Sequence, residues 1–222
     1  MERLTICSYL KHGHGFHLYV YADLAGIPAG TTVLDAAEIL PEAAIFRYPQ
    51  GGSVAGFANF FRYKLLLERG GWWTDMDSVC LKPFDFADEF VFSSEMDQGQ
   101  RCIGNCMLKL PPHSLFAEYA CERCGATDTK TITWGQTGPR LTAETVHRLG
   151  LERYVQEPSV FCPIDYRSWQ TVLDPDIDLQ FGPETHAVHL WHEKWRRSGH
   201  DPAGEYPPGC LYERLKSLYL DS

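Results

Sequence analysis

"VAGFANFFRYKLLLERGGWWTDMD", residues 54–77, runs from a helical pattern through two glycines and two tryptophans to a pair of aspartates one residue apart. Phe57, Phe61 and Leu65, with Phe60, Lys64 and Leu67, give a broad helix face, and Gly70-Gly71 supplies the stop. If the segment after the glycines is extended, Asp75 and Asp77 point one way and Thr74 and Met76 the other. Two ionised carboxylates this close repel, so the pattern calls for a cation that makes both charges useful. Oxygen ligands in a small, partly hydrated site suit Mn²⁺ or Mg²⁺, with substrate phosphates filling remaining positions.

Helices and short strands alternate on both sides of this stretch. "MERLTICSYLKHGHGF" places Leu4, Cys7 and Leu10 at helical spacing and can end at Gly13. "HLYVY" reads as a strand, and "TVLDAAEIL" as a strand passing into a helix closed by Pro41. Downstream, "SVCLKPFD" is extended, and "EFVFSSE" and "CIGNCMLKL" are strands. "HSLFAEYACERC" is helical through Leu115, Phe116, Tyr119 and Ala120. "TWGQTGPRLTAETVHRLG" is a loop feeding a helix that ends at Gly150. "HAVHLW" is a strand, and "LYERLKSLYL" a final amphipathic helix. The alternation predicts an α/β layered domain.

The 222 residues suffice for one well-buried core. Acidic residues outnumber basic ones 29 to 20, a formal charge of −9, and this argues against a nucleic-acid partner. The longest apolar runs fall far short of the ~20 residues a transmembrane segment needs, and no signal-peptide pattern opens the chain, so the cytoplasm is the expected location. Reduced thiols are then expected for the eight cysteines. Cys102-x3-Cys106 and Cys121-x2-Cys124 approach a structural zinc spacing, with buried thiols as the favoured reading. His12, His14 and His17 read as a helix end and a strand start.

"FANFFRYKLLLERGGWWTDMD" followed by "CLKPFD" resembles the central signature of sugar-transferring enzymes with an Asp-x-Asp motif. That group holds α-1,4-galactosyltransferases, yeast mannosyltransferases and bacterial capsule or lipopolysaccharide glycosyltransferases, with the clostridial glucosylating toxins more distant. "WGQTGPRLT" is similar to the group's Gly-Pro-x-x-Leu-Thr loop, and "HAVHLWHEKW" to its C-terminal His-x-Trp segment. The motifs follow in order from about residue 54 to about residue 195.

The resemblance implies a single glycosyltransferase domain over residues 1–222, built as a Rossmann-like mixed sheet flanked by helices, the glycosyltransferase A-type fold. It implies a hexosyltransferase of polysaccharide biosynthesis using a UDP- or GDP-sugar donor and Mn²⁺ or Mg²⁺, with retention of configuration. The acceptor would be a glycan, a lipid-linked saccharide or a protein. By the same resemblance Asp75 and Asp77 carry the catalytic chemistry; Asp77 ligates the metal directly, and Asp75 contacts the donor and reaches the metal through water. His189 joins them, with His192 as its close rival. Asn59, Arg62 and Trp73 lie against the donor, and Gln136, Thr137 and Gly138 lie where donor and acceptor meet. For Trp134, stacking on a sugar and packing in the core are equal readings.

Two departures accompany the resemblance. Asn59 stands where the family commonly has aspartate, and the family's first strand has no counterpart before the opening helix. Both leave open a non-catalytic nucleotide-sugar-binding domain. "DMDSV" also fits a haloacid dehalogenase-type phosphatase, but that fold wants a buried strand before the motif, where this chain has "RGGWWT".

Overall fold

The computed structural model describes residues 1–220. Helix α1 (Glu2–Lys11) leads through His12 and Gly13 to β1 (His17–Val20), which pairs in parallel with β2 (Thr32–Asp35). The Asp35 carboxylate then accepts from the Ala37 N–H and caps a short 3₁₀ turn over Ala36–Glu38. Helix α2 (Ala55–Arg69) is the longest helix, and Gly70 ends it. Position 70 has φ +63°, and a methyl group there would stand 2.5 Å from Cδ of the Pro112 ring, so glycine is required by both torsion and close contact.

β3 (Gly71–Thr74), β5 (Val91–Asp97) and β6 (Gln100–Leu110) form an antiparallel sheet in the order β3-β6-β5. β4 (Ser78–Cys80) pairs instead with β7 (Ala187–His189). Among the described residues the strands therefore make three small hydrogen-bonded sheets, where the sequence leads one to expect a single mixed sheet. The division falls at the aspartates: the Ser78 N–H donates to the Asp75 carbonyl at 3.1 Å, and this turn redirects the chain between β3 and β4.

Helix α3 (Leu115–Gly125) starts at a Ser114 cap and packs on α2. It buries Phe116, Ala117, Ala120 and Cys124, and Leu115, expected on that face, is 69% exposed. Helix α4 (Pro139–Leu149) ends as expected at Gly150, in the left-handed region. A single turn, α5 (Pro158–Phe161), precedes β7; α6 (His192–Arg197) follows it directly, and α7 (Leu211–Leu220) returns to pack on α1. One core gathers Tyr63 and Leu66 of α2 with Phe92, Leu108 and Leu110 of the sheet and Phe116 of α3. A second, around Trp169, Trp195 and Tyr212, fixes α6 and α7 beneath β4 and β7. Met76 of the 75–77 turn packs against a further core that includes Ile6, Tyr9, Phe16, Met107 and Phe161.

Candidate active site

Helix α2 buries two polar side chains, Asn59 and Arg62, three residues apart on one face. Arg62 donates to the Asn59 side-chain carbonyl at 2.7 Å and to Asp75 Oδ1 at 2.6 Å. Trp73 Nε1 donates to the same Asp75 oxygen at 2.7 Å, and the Arg62 guanidinium lies over the Trp73 ring, 4.9 Å from its centroid. Trp72, its neighbour on the strand, faces the other way and packs with Phe84, Phe86 and Phe161. The strand alternation thus gives one tryptophan to the site and one to the core.

Asp77 is held from the C-terminal side. In the β4–β7 register Ser78 lies opposite His189, and the Leu190 N–H donates to the Asp77 backbone carbonyl at 2.8 Å. His189 Nε2 then lies 3.2 Å from Asp77 Oδ1, and the His192 N–H donates to Oδ2 at 2.8 Å. The two histidines thus have different parts: His189 acts through its ring and His192 through its backbone.

The two aspartates meet through the turn and not through strand alternation, because β3 stops at Thr74. Asp75, Asp77 and His189 each bring one ligand atom within 4.8 Å of the others. Burial pushes the Asp75 carboxyl up, opposed by Arg62 and reinforced by repulsion from Asp77. Burial acts upward on Asp77 too, but His189 and the His192 N–H outweigh it and hold that group at about 2. Burial acts to discharge His189, yet Asp77 and Cys106 keep its pKa well above the ordinary imidazole range. Two hard carboxylates and one imidazole, collected at one point, fit a small divalent cation.

The "WGQTGPRLT" loop divides its residues. A side chain at Gly138 would stand 2.8 Å from the Asn59 amide, so this glycine is pressed against the α2 polar face. Thr137 is buried beside the Tyr48 hydroxyl. Gln136 is exposed and folds onto its own loop, its side-chain carbonyl accepting from the Thr133 N–H at 3.0 Å. Trp134 is 45% exposed, lies against Tyr48 and is covered by the Arg197 guanidinium, so it is a surface residue of the site's rim and not core.

Several participants were not legible in the sequence. Asn105 donates to the Asn59 side-chain carbonyl at 3.0 Å; an asparagine inside an apolar strand is uncommon enough to have signalled it. Helix α1 presents buried polar groups to the turn: Thr5 donates to the Met76 carbonyl at 3.0 Å, the Tyr9 and Thr74 hydroxyls pair at 2.8 Å, and Ser8 accepts from the Cys80 N–H. Nothing in the spacing of Leu4, Cys7 and Leu10 indicated that face. Glu95, on a cleft of about 570 Å³ beside α4, is raised by burial to about 7. Finally, Cys106 does not join Cys102, Cys121 and Cys124 in a zinc cluster; it lies against Cys162, sulfur to sulfur at 3.3 Å.

A helix ending in paired glycines, a strand carrying an aromatic wedge and a turn presenting two aspartates therefore meet beside one buried arginine. Residues 50–96 match the family model for the glycosyltransferase sugar-binding region containing the DXD motif. Among solved structures it is similar to the PaToxG glycosyltransferase, with a TM-score of 0.49 and 11% identity over 69% of this chain and 67% of that one. A search of curated protein sequences finds no match.

Proposed function

We propose that the protein is a divalent-metal-dependent hexosyltransferase of the A-type fold, moving a sugar from a UDP- or GDP-sugar to a hydroxyl acceptor with retention. The observation that carries this is the convergence of Asp75 and Asp77, from one turn, and His189, from β7, onto one point beside a buried arginine. Asp77 and His189 would hold Mn²⁺ or Mg²⁺ directly, and Asp75 would complete the set or act through water. A metal bound there supplies Lewis acidity to the leaving diphosphate, on which negative charge builds as the glycosidic bond breaks.

The protein's own residues do the positioning. The Arg62 and Trp73 donors both fall on Asp75 Oδ1, which fixes the carboxylate and would leave its other oxygen for the metal. The His192 N–H fixes the rotation of Asp77. Asn59, braced by Arg62 and Asn105, keeps a hydrogen-bond acceptor where the related enzymes carry aspartate, and offers its face to the donor sugar beside Gly138. The cleft beside α4, lined by Arg101, Arg140 and His147 among others, would receive the acceptor, a glycan, a lipid-linked saccharide or a protein.

Incubation with a panel of nucleotide sugars and Mn²⁺ tests the reading. Release of a nucleoside diphosphate from one donor, abolished by chelation, is expected. Binding without release across the panel would make this a non-catalytic domain, and phosphate release from a phosphomonoester would favour a phosphatase.

A further inference from the structure

Two groups of potential metal ligands occur among the described residues, and they share His189. The second group is Cys106, Cys162 and His189, three buried side chains drawn from β6, from the residue just after α5 and from β7. We infer that Cys106, Cys162 and the Nδ1 atom of His189 form a second metal site, selective for a thiophilic ion such as Zn²⁺.

The first argument is geometric. Two thiolates on one tetrahedral zinc, each at about 2.3 Å, stand about 3.8 Å apart. A disulfide would bring them to about 2.05 Å. At 3.3 Å the Cys106 and Cys162 sulfurs need to open by roughly half an ångström for zinc, against a closure of more than one for a disulfide. The Cys106 thiol donates to the Ser93 hydroxyl at 3.4 Å, so loss of the thiol proton to a metal would leave a hydroxyl beside the sulfur, placed to donate to it from the outer shell.

The second argument comes from the imidazole. Nε2 faces Asp77, while Nδ1 is buried, makes no hydrogen bond of ordinary geometry and has the Cys106 thiol as its polar neighbour. A buried ring nitrogen so weakly satisfied is costly, and the two cysteines are the soft ligands gathered with it. A carboxylate fixing one ring nitrogen so that the other is presented to a metal is the usual outer-shell arrangement of zinc-binding histidines. Asp77, His189 and the thiol pair reproduce it. A neutral imidazole offers one lone pair at a time, so a hard ion on Nε2 and zinc on Nδ1 are alternatives: with zinc bound, Nε2 is an N–H donor to Asp77 and the two aspartates would hold the hard ion without the ring.

Cobalt(II) titration of the reduced, metal-free protein tests the site, because thiolate coordination gives an intense sulfur-to-cobalt charge-transfer absorption that oxygen ligands do not. The expected result is one cobalt per chain with that absorption, bleached by one equivalent of Zn²⁺. Cys162→Ser should weaken cobalt binding at least tenfold and remove the band, while Cys121→Ser, at a thiol outside the group, and Asp75→Asn leave it. A cobalt-saturated protein without the band, or a band unchanged in a folded Cys162→Ser protein, overturns the inference. If Cys162→Ser does not fold, Cys162→Ala with the same titration decides. The optical readout does not depend on nucleotide binding, so failure of the transferase reading leaves this test intact.

Discussion

The Arg62–Asp75 pair joins helix α2 to the turn at residues 75–77, and its strength can be worked from its surroundings. Arg62→Met keeps a stem over the Trp73 ring but removes the 2.6 Å bond to Asp75 and the 2.7 Å bond to Asn59. Breaking a buried ion pair from one side costs about 3–5 kcal/mol. The Asp75 side chain is 27% exposed and keeps its bond from Trp73, which brings the expectation down to roughly 2–3 kcal/mol. For a chain this long each kcal/mol is worth about 2–4 °C, so the melting temperature should fall by roughly 4–12 °C. A double-mutant cycle with Asp75→Asn, followed by urea denaturation, isolates the pair. A coupling of roughly 1.5 kcal/mol or more is expected; a value under about 0.5 kcal/mol, within the additivity of independent sites, would refute the claim that this pair positions the turn.

Other outcomes follow from the same geometry. Gly138→Ala should cost roughly 1–3 kcal/mol of stability and weaken nucleotide binding, because its methyl group meets the Asn59 amide; thermal melts and nucleotide titration check both. Glu95 has its pKa raised in the folded state to about 7, so its contribution is full below its unfolded value and is lost as pH rises through 7. Glu95→Gln should therefore stabilise the protein by roughly 1–3 kcal/mol at pH 8 and change little at pH 4, as read from urea midpoints across pH. Thr5→Val, which removes the bond to the Met76 carbonyl while keeping shape, should lower stability by about 1 kcal/mol in the same assay.

Local features were well read from the sequence because their causes are local. The α2 face, its glycine stop, the strands around residues 91–110 and the Gly150 cap all follow from periodicity and backbone torsion within a few residues. Arg62 and Asn59 were legible as one face for the same reason. What sets the site's chemistry was not local: His189 reaches Asp77 only because β7 pairs with β4 across more than a hundred residues, and no spacing encodes that register. The 75–77 turn also escaped, since alternation predicts the same shared direction for the two aspartates that a turn produces by another path. The polar face of α1 was hidden because Thr5 and Ser8 in a helix ordinarily face solvent, whereas here both are buried against the turn.

Calorimetric titration of UDP and GDP with and without Mn²⁺ examines the centre of this account most directly. One nucleoside diphosphate should bind at least tenfold more tightly with the metal present, and Asp77→Ala should erase that difference while leaving a folded protein. Equal affinity with and without Mn²⁺, or a metal effect that survives Asp77→Ala, would contradict it.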